Sequence, residues 1–124
     1  MKKRILLAED NEETLEVAQK QLELLGYDVI VARNGVEAVE KASSELPDLI
    51  VIDISMPVMD GLQAASQIKA NSRTQSIPIL AATARAVSGD KEKCLASGCD
   101  DYLAKPYTHR ALGAAIERLL KDLP

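Results

Sequence analysis

Apolar residues in this chain fall into two patterns that alternate along its length. Short unbroken runs at residues 5–8, 49–52 and 79–82 stop abruptly at a polar group. Between them lie longer stretches in which apolar residues recur every three or four positions. The runs lack the alternation of a half-exposed strand, and the central one, Leu49 to Ile52, is largely β-branched, so they predict strands covered on both faces, as in a parallel sheet. The longer stretches predict helices. Asn11 caps the first, with Glu12 and Glu13 in its opening turn and Leu15, Ala18, Leu22 and Leu25 on one face, and Gly26 ends it. A strand over 27–32 turns at Asn34 and Gly35 into a helix carrying Ala38, Val39, Ala42 and Leu46, closed by Pro47. Gly61 opens a third helix with Leu62, Ala65 and Ile68, and residues 71–76 form a polar loop. A short helix from about Gly89 to Ser97 ends at Gly98. Tyr102, Leu103 and Ala104 make the last strand, after which Thr108 caps a helix with Leu112, Ala115, Ile116, Leu119, Leu120 and Leu123 at core spacing.

Five strands alternating with five helices and no intervening linker predict one α/β domain over residues 1–124, a doubly wound, flavodoxin-like parallel sheet with helices on both faces. The class suggests the strand order 2-1-3-4-5, which sets the first and third strands side by side at the switch point. The 124 residues with 47% hydrophobic content suffice for one core, burying about two-thirds of the unfolded surface. A net charge of −4 argues against nucleic acid or an anionic membrane as a direct partner. With no apolar run near the ~20 residues of a membrane span and no signal-peptide core, the expectation is a cytoplasmic protein. Cys94 and Cys99 have no second pair or nearby histidine to complete a metal site and are expected to be reduced thiols.

The ends of the strands carry the chemistry. The first run ends at Glu9 and Asp10, the central one at Asp53, the fourth strand at Thr83 and the fifth at Lys105. In open α/β sheets ligands sit at the carboxyl ends of strands, so the topology would bring these residues to one rim. Three carboxylates against one ammonium leave about two negative charges for a divalent cation to neutralise. An all-oxygen ligand set favours Mg²⁺, Mn²⁺ or Ca²⁺ over Zn²⁺, and few protein ligands with waters and a phosphoryl oxygen suit Mg²⁺ best. A carboxylate beside Mg²⁺ can attack phosphorus, with Lys105 screening the charge and Thr83 donating to a phosphoryl oxygen.

Residues 8–12 (AEDNE), the D-x-x-MP-x-MDG pattern at 53–61, Thr83 with Ala84, and YLAKP at 102–106 together resemble a response-regulator receiver domain, over essentially the whole chain. The stretch SGDKEKCLASGCDDYLAKP is similar to receivers of hybrid kinases and of stand-alone regulators. The resemblance implies a two-component response regulator in which Asp53 accepts phosphate from a phosphohistidine on a sensor histidine kinase or phosphotransfer protein. It implies Mg²⁺ held by Glu9, Asp10, Asp53 and the backbone carbonyl of Ser55, and Lys105 paired with the phosphoryl group beside a cis bond to Pro106. Thr83 would swing toward the phosphoryl oxygen and Tyr102 would turn inward, switching a surface for a downstream protein near Tyr102 and the last helix. Such a domain is not an enzyme beyond Mg²⁺-dependent self-phosphorylation and slow autodephosphorylation, and Ser55 and Arg85 are expected to tune that lifetime. Glu9 stands where many members have Asp, and Ala8 where a larger aliphatic is frequent.

Two alternatives share these residues. A hydrolase of the haloacid dehalogenase type also uses an aspartate and Mg²⁺, but needs a second acid where this chain has Ser55. A degenerate receiver would bind partners without being phosphorylated, although the acceptor-site residues are all present here. Asp60 is expected to be a turn residue, Asp100 and Asp101 solvated acids, and His109 a surface residue at the start of the last helix.

Overall fold

The computed structural model describes residues 2–54, 56, 58–83 and 90–121. In chain order the elements are β1 (Arg4–Ala8), α1 (Glu12–Leu24), β2 (Asp28–Ala32), α2 (Gly35–Glu45), β3 (Leu49–Asp53), α3 (Gly61–Ala70), β4 (Ile79–Thr83), α4 (Asp90–Ala96), β5 (Asp101–Ala104) and α5 (His109–Lys121). The strands pair in parallel in the order β2-β1-β3-β4-β5, the flavodoxin-like arrangement expected from the alternation of elements.

The unbroken apolar runs are explained by the two faces they serve. Leu6, Ala8, Ile50, Ile52, Ile79 and Ala81 point into one core with Ala38 and Ala42 of α2, Ala64, Ala65 and Ile68 of α3, and Cys94 of α4. Ile5, Leu7, Leu49, Val51 and Leu80 point the other way, into a core with Leu15, Ala18 and Leu22 of α1 and Leu112, Ala115, Ile116 and Leu119 of α5. Each buried Leu or Ile contributes about 2 kcal/mol. Because both faces are apolar, the parallel register rests on backbone pairing and on how large and small side chains fit each layer.

The capping residues behave as their chemistry requires. Asn11 accepts from the Thr14 amide at 3.0 Å, Asn34 from Glu37 at 2.9 Å and Thr108 from Ala111 at 2.9 Å. Asp60, expected to be a plain turn residue, caps α3 by accepting from the Gln63 amide at 2.9 Å. Leu46 departs from its expected core position: it is the C-cap of α2 with φ 47° and is exposed, because the left-handed cap turns it off the helix face. Asp100 and Asp101 are not merely solvated. Asp100 accepts from the Ile79 amide at 2.8 Å and from Lys69 at 2.9 Å, and Asp101 pairs with Arg118 of α5. His109 is exposed, and Cys94 and Cys99 are buried. Among the described residues, no helix is long and apolar enough to cross a membrane.

Candidate functional site

Sheet register sets the site. Ala8 lies beside Ile52, and Asp53 beside Ala82. Glu9, one step past Ala8, therefore comes level with Asp53 on the neighbouring strand. Side-chain oxygens of Glu9, Asp10 and Asp53 all lie within 4.8 Å of one another, with Glu9 and Asp53 buried and Asp10 exposed. Helix α1 helps to hold Glu9: the Asn11 amide that precedes the helix donates to Glu9 Oε2 at 3.2 Å. The turn after Asp53 is drawn tight by the Gly61 amide, which donates to the Ile54 carbonyl at 2.9 Å.

Lys105 enters from β5. Its amide donates to the Thr83 carbonyl at 2.7 Å, and its bond to Pro106 is cis. Its Nζ donates to Glu9 Oε1 at 2.6 Å and stands 3.5 Å from Asp53 Oδ2. One ammonium thus bridges two of the three carboxylates, with the closer contact to Glu9. Burial, followed by the hydrogen bond with Asp53, pushes the Glu9 carboxyl above its ordinary value, while Lys105 works against the rise. Burial acts to lower the Lys105 pKa, but its hydrogen bond to Glu9 and the charges of Asp53 and Glu9 outweigh that, and the net direction is up. Lys105 therefore stays charged through the neutral range. Three clustered carboxylate oxygens with no sulfur or imidazole in the set suit a hard divalent cation.

Thr83, fully buried, closes β4 one residue beyond the partner of Asp53. Tyr102 is half-buried, paired in register with Ala81 and packed against the core under α2, α3 and α4. The expected roles of Ser55 and Arg85, the start of α4 at Gly89, and Leu123 fall outside the described residues.

One feature escaped the reading of the sequence. A cavity of about 540 Å³ opens beside Lys105, lined by Glu13, Val17 and Gln21 of α1 with Pro106 and Tyr107. Burial pushes the Tyr107 phenol up. A tyrosine two positions past Lys105, in a chain with three tyrosines and no Phe or Trp, was the available signal. Nothing in its spacing says that α1 stands across from it.

A sequence model of the response regulator receiver domain matches residues 5–117. The chain is 40% identical over 121 residues to the alkaline phosphatase synthesis transcriptional regulatory protein PhoP of Bacillus subtilis, covering 98% of this chain and 50% of that protein. It is 38% identical over 122 residues to the polar-differentiation response regulator DivK of Brucella anthropi, covering 98% and 99% of the two chains. In a hybrid signal transduction histidine kinase of Dictyostelium discoideum the 46% identical match spans 3% of that protein. Among solved structures, the receiver domain of sensor histidine kinase PA1611 from Pseudomonas aeruginosa superposes with a TM-score of 0.93 at 38% identity, covering 98% and 100% of the chains, and holds a magnesium ion in its active-site cleft. With the matched family spanning nearly all of the fold and the strand-end acids and lysine gathered at one rim, the chain belongs to the response regulator receiver domains of two-component signalling.

Proposed function

We propose that residues 1–124 form one receiver domain in which Asp53 accepts a phosphoryl group from a phosphohistidine, on a sensor kinase or a phosphotransfer protein, and that this switches a protein-binding surface. The observation that carries the reading is the cluster of Glu9, Asp10 and Asp53 bridged by Lys105. A Mg²⁺ ion held by the three carboxylates, with the Ser55 carbonyl as a further ligand, would neutralise charge between the two anions that must meet. An Asp53 carboxylate oxygen forms the new bond to phosphorus as the P–N bond breaks, its electron pair returning to the imidazole. Lys105 stabilises charge on the transferring group, which draws it from its present contact with Glu9. Thr83, at the end of the adjacent strand, supplies a hydroxyl donor, and Tyr102 follows it inward as the two-state element that carries the event to the surface. The cavity between α1 and Tyr107, open beside Lys105, gives a donor side chain an approach to the site.

Intact mass after incubation with acetyl phosphate tests the reading. The expected result is a gain of one phosphoryl group that requires Mg²⁺ and is absent in Asp53→Ala. No gain from acetyl phosphate or from a phosphorylated cognate kinase would replace it with a receiver that binds partners without phosphorylation. Release of phosphate from ordinary esters at enzymatic rates would instead favour the hydrolase.

A further inference from the structure

Between β3 and α3, one described residue is held in a conformation that its side chain disfavours. Val58 has φ 69°, a left-handed backbone that is an outlier for a β-branched residue. Its side chain is 84% exposed, so little packing of its own offsets the strain.

Two glycines show where the loop is held. A Cβ on Gly61 would fall 2.4 Å from the Asp53 carbonyl oxygen, so the start of α3 sits directly on the backbone of the acceptor residue. The other is Gly35, the first residue of α2, distant in sequence. Its backbone is not in the left-handed region, so conformation does not demand glycine there. Space does: a Cβ would lie 2.1 Å from the Met59 carbonyl oxygen and 2.8 Å from its carbon. Both are backbone atoms, which cannot swing aside as a side chain would. Behind this contact α2 is anchored by Ala38 and Ala42, in the same core as Ala64 and Ala65 of α3.

We propose that Gly35 is a positioning residue for the acid cluster. By letting the Met59 carbonyl close onto the start of α2, it fixes Met59 next to the start of α3 and, through the contact of Gly61 with the Asp53 carbonyl, the place of the Asp53 carboxylate relative to Glu9 and Asp10. The inference rests on the reading of that cluster as the Mg²⁺ site. It assigns to the N-terminus of a helix that contributes no ligand a part in setting metal affinity.

Mg²⁺ titrations of the full chain followed by backbone amide shifts, with thermal melts alongside, test it. Gly35→Ala is expected to weaken Mg²⁺ binding by roughly tenfold, as removal of a group that orients a ligand does. Gly26→Ala is the control for lost stability: Gly26 has φ 96° with nothing within 4 Å of a Cβ, so the variant is strained far from the loop and should leave affinity within about twofold. Gly35→Ala within the same twofold of wild type would overturn the proposal, as would an equal loss in Gly26→Ala. Should Gly35→Ala not fold, Val58→Gly decides. With the seat at Gly35 intact, relief of strain raises Tm and leaves Mg²⁺ affinity unchanged, whereas a fall in affinity would mean that the loop's own stiffness sets the geometry. Wild type that binds no Mg²⁺ would overturn the functional reading itself, a result distinct from all of these.

Discussion

The sheet carries a lysine–carboxylate pair at each end, and the two are built differently. At the carboxyl end Lys105 meets Glu9 at 2.6 Å and Asp53 at 3.5 Å with Asp10 alongside, one ammonium among three acids. At the amino end Lys69 donates to Asp100 at 2.9 Å, to the Ile77 carbonyl at 2.8 Å and to the Gln75 carbonyl at 3.2 Å. The same Asp100 oxygen takes the Ile79 amide at 2.8 Å. Every donor of Lys69 is used and the charges cancel, so this pair fastens the turn before β4 to the entrance of β5. The other end keeps a surplus of negative charge in place. Crowded like charges oppose folding, and a bound divalent cation would relieve that repulsion.

If the amino-end pair is a fastener, its loss should cost the most. Asp100→Ala leaves the Ile79 amide without its acceptor and the Lys69 ammonium with carbonyls but no carboxylate, an expected loss of about 2 kcal/mol. Urea unfolding would measure it, with phosphorylation of Asp53 by acetyl phosphate kept in the folded variant. A variant as stable as wild type would erase the distinction between the two ends.

The amino end also buries a titratable group that should be silent near neutrality. Burial, with Cys94 next, pushes the Cys99 thiol from 9.0 to about 12. The fold therefore favours the neutral thiol, and that stability is fully present below 9.0 and lost as pH rises toward about 12. One unit above the unfolded value the loss is about 1.4 kcal/mol. Unfolding at about pH 8 and about pH 10 should differ by at least this much in wild type and by clearly less in Cys99→Ala. Tyr27 and Tyr107, also raised by burial, act in the same direction, so the variant and not wild type alone decides.

The contrast between the ends also marks what was legible in the sequence. The carboxyl rim could be read because each of its groups ends a strand: an apolar run that stops at Glu9, Asp53 or Thr83 states its own address once parallel pairing is assumed. The strand order followed from the class in the same way. The amino end was opaque, since Asp100 and Lys69 belong to a turn and a helix whose meeting depends on how α3 returns to β4. Leu46 misled because helical spacing persists one residue past the point where the backbone turns left-handed. Gly35 looked like half of an Asn-Gly turn signal, and the Met59 carbonyl that requires it lies on another loop. Periodicity reports which face a residue occupies and is silent about which loops touch.

The smallest expected effect has the opposite sign from the first and is the sharpest test of the comparison. Asp53→Asn keeps the size of the side chain and removes one of three clustered negative charges. Asp53 is among the causes that hold the Glu9 carboxyl above its ordinary value, and Lys105 retains its closer partner in Glu9. Without metal the variant should therefore be more stable than wild type by about 1 kcal/mol. Mg²⁺ at about tenfold excess over its Kd should add about 1.4 kcal/mol to wild type and much less to the variant, which has lost a ligand charge. The order of stabilities then reverses between chelator and excess Mg²⁺. A variant less stable than wild type in chelator would show that Asp53 is a fastener like Asp100, and that the surplus of charge at the carboxyl rim is already balanced within the fold.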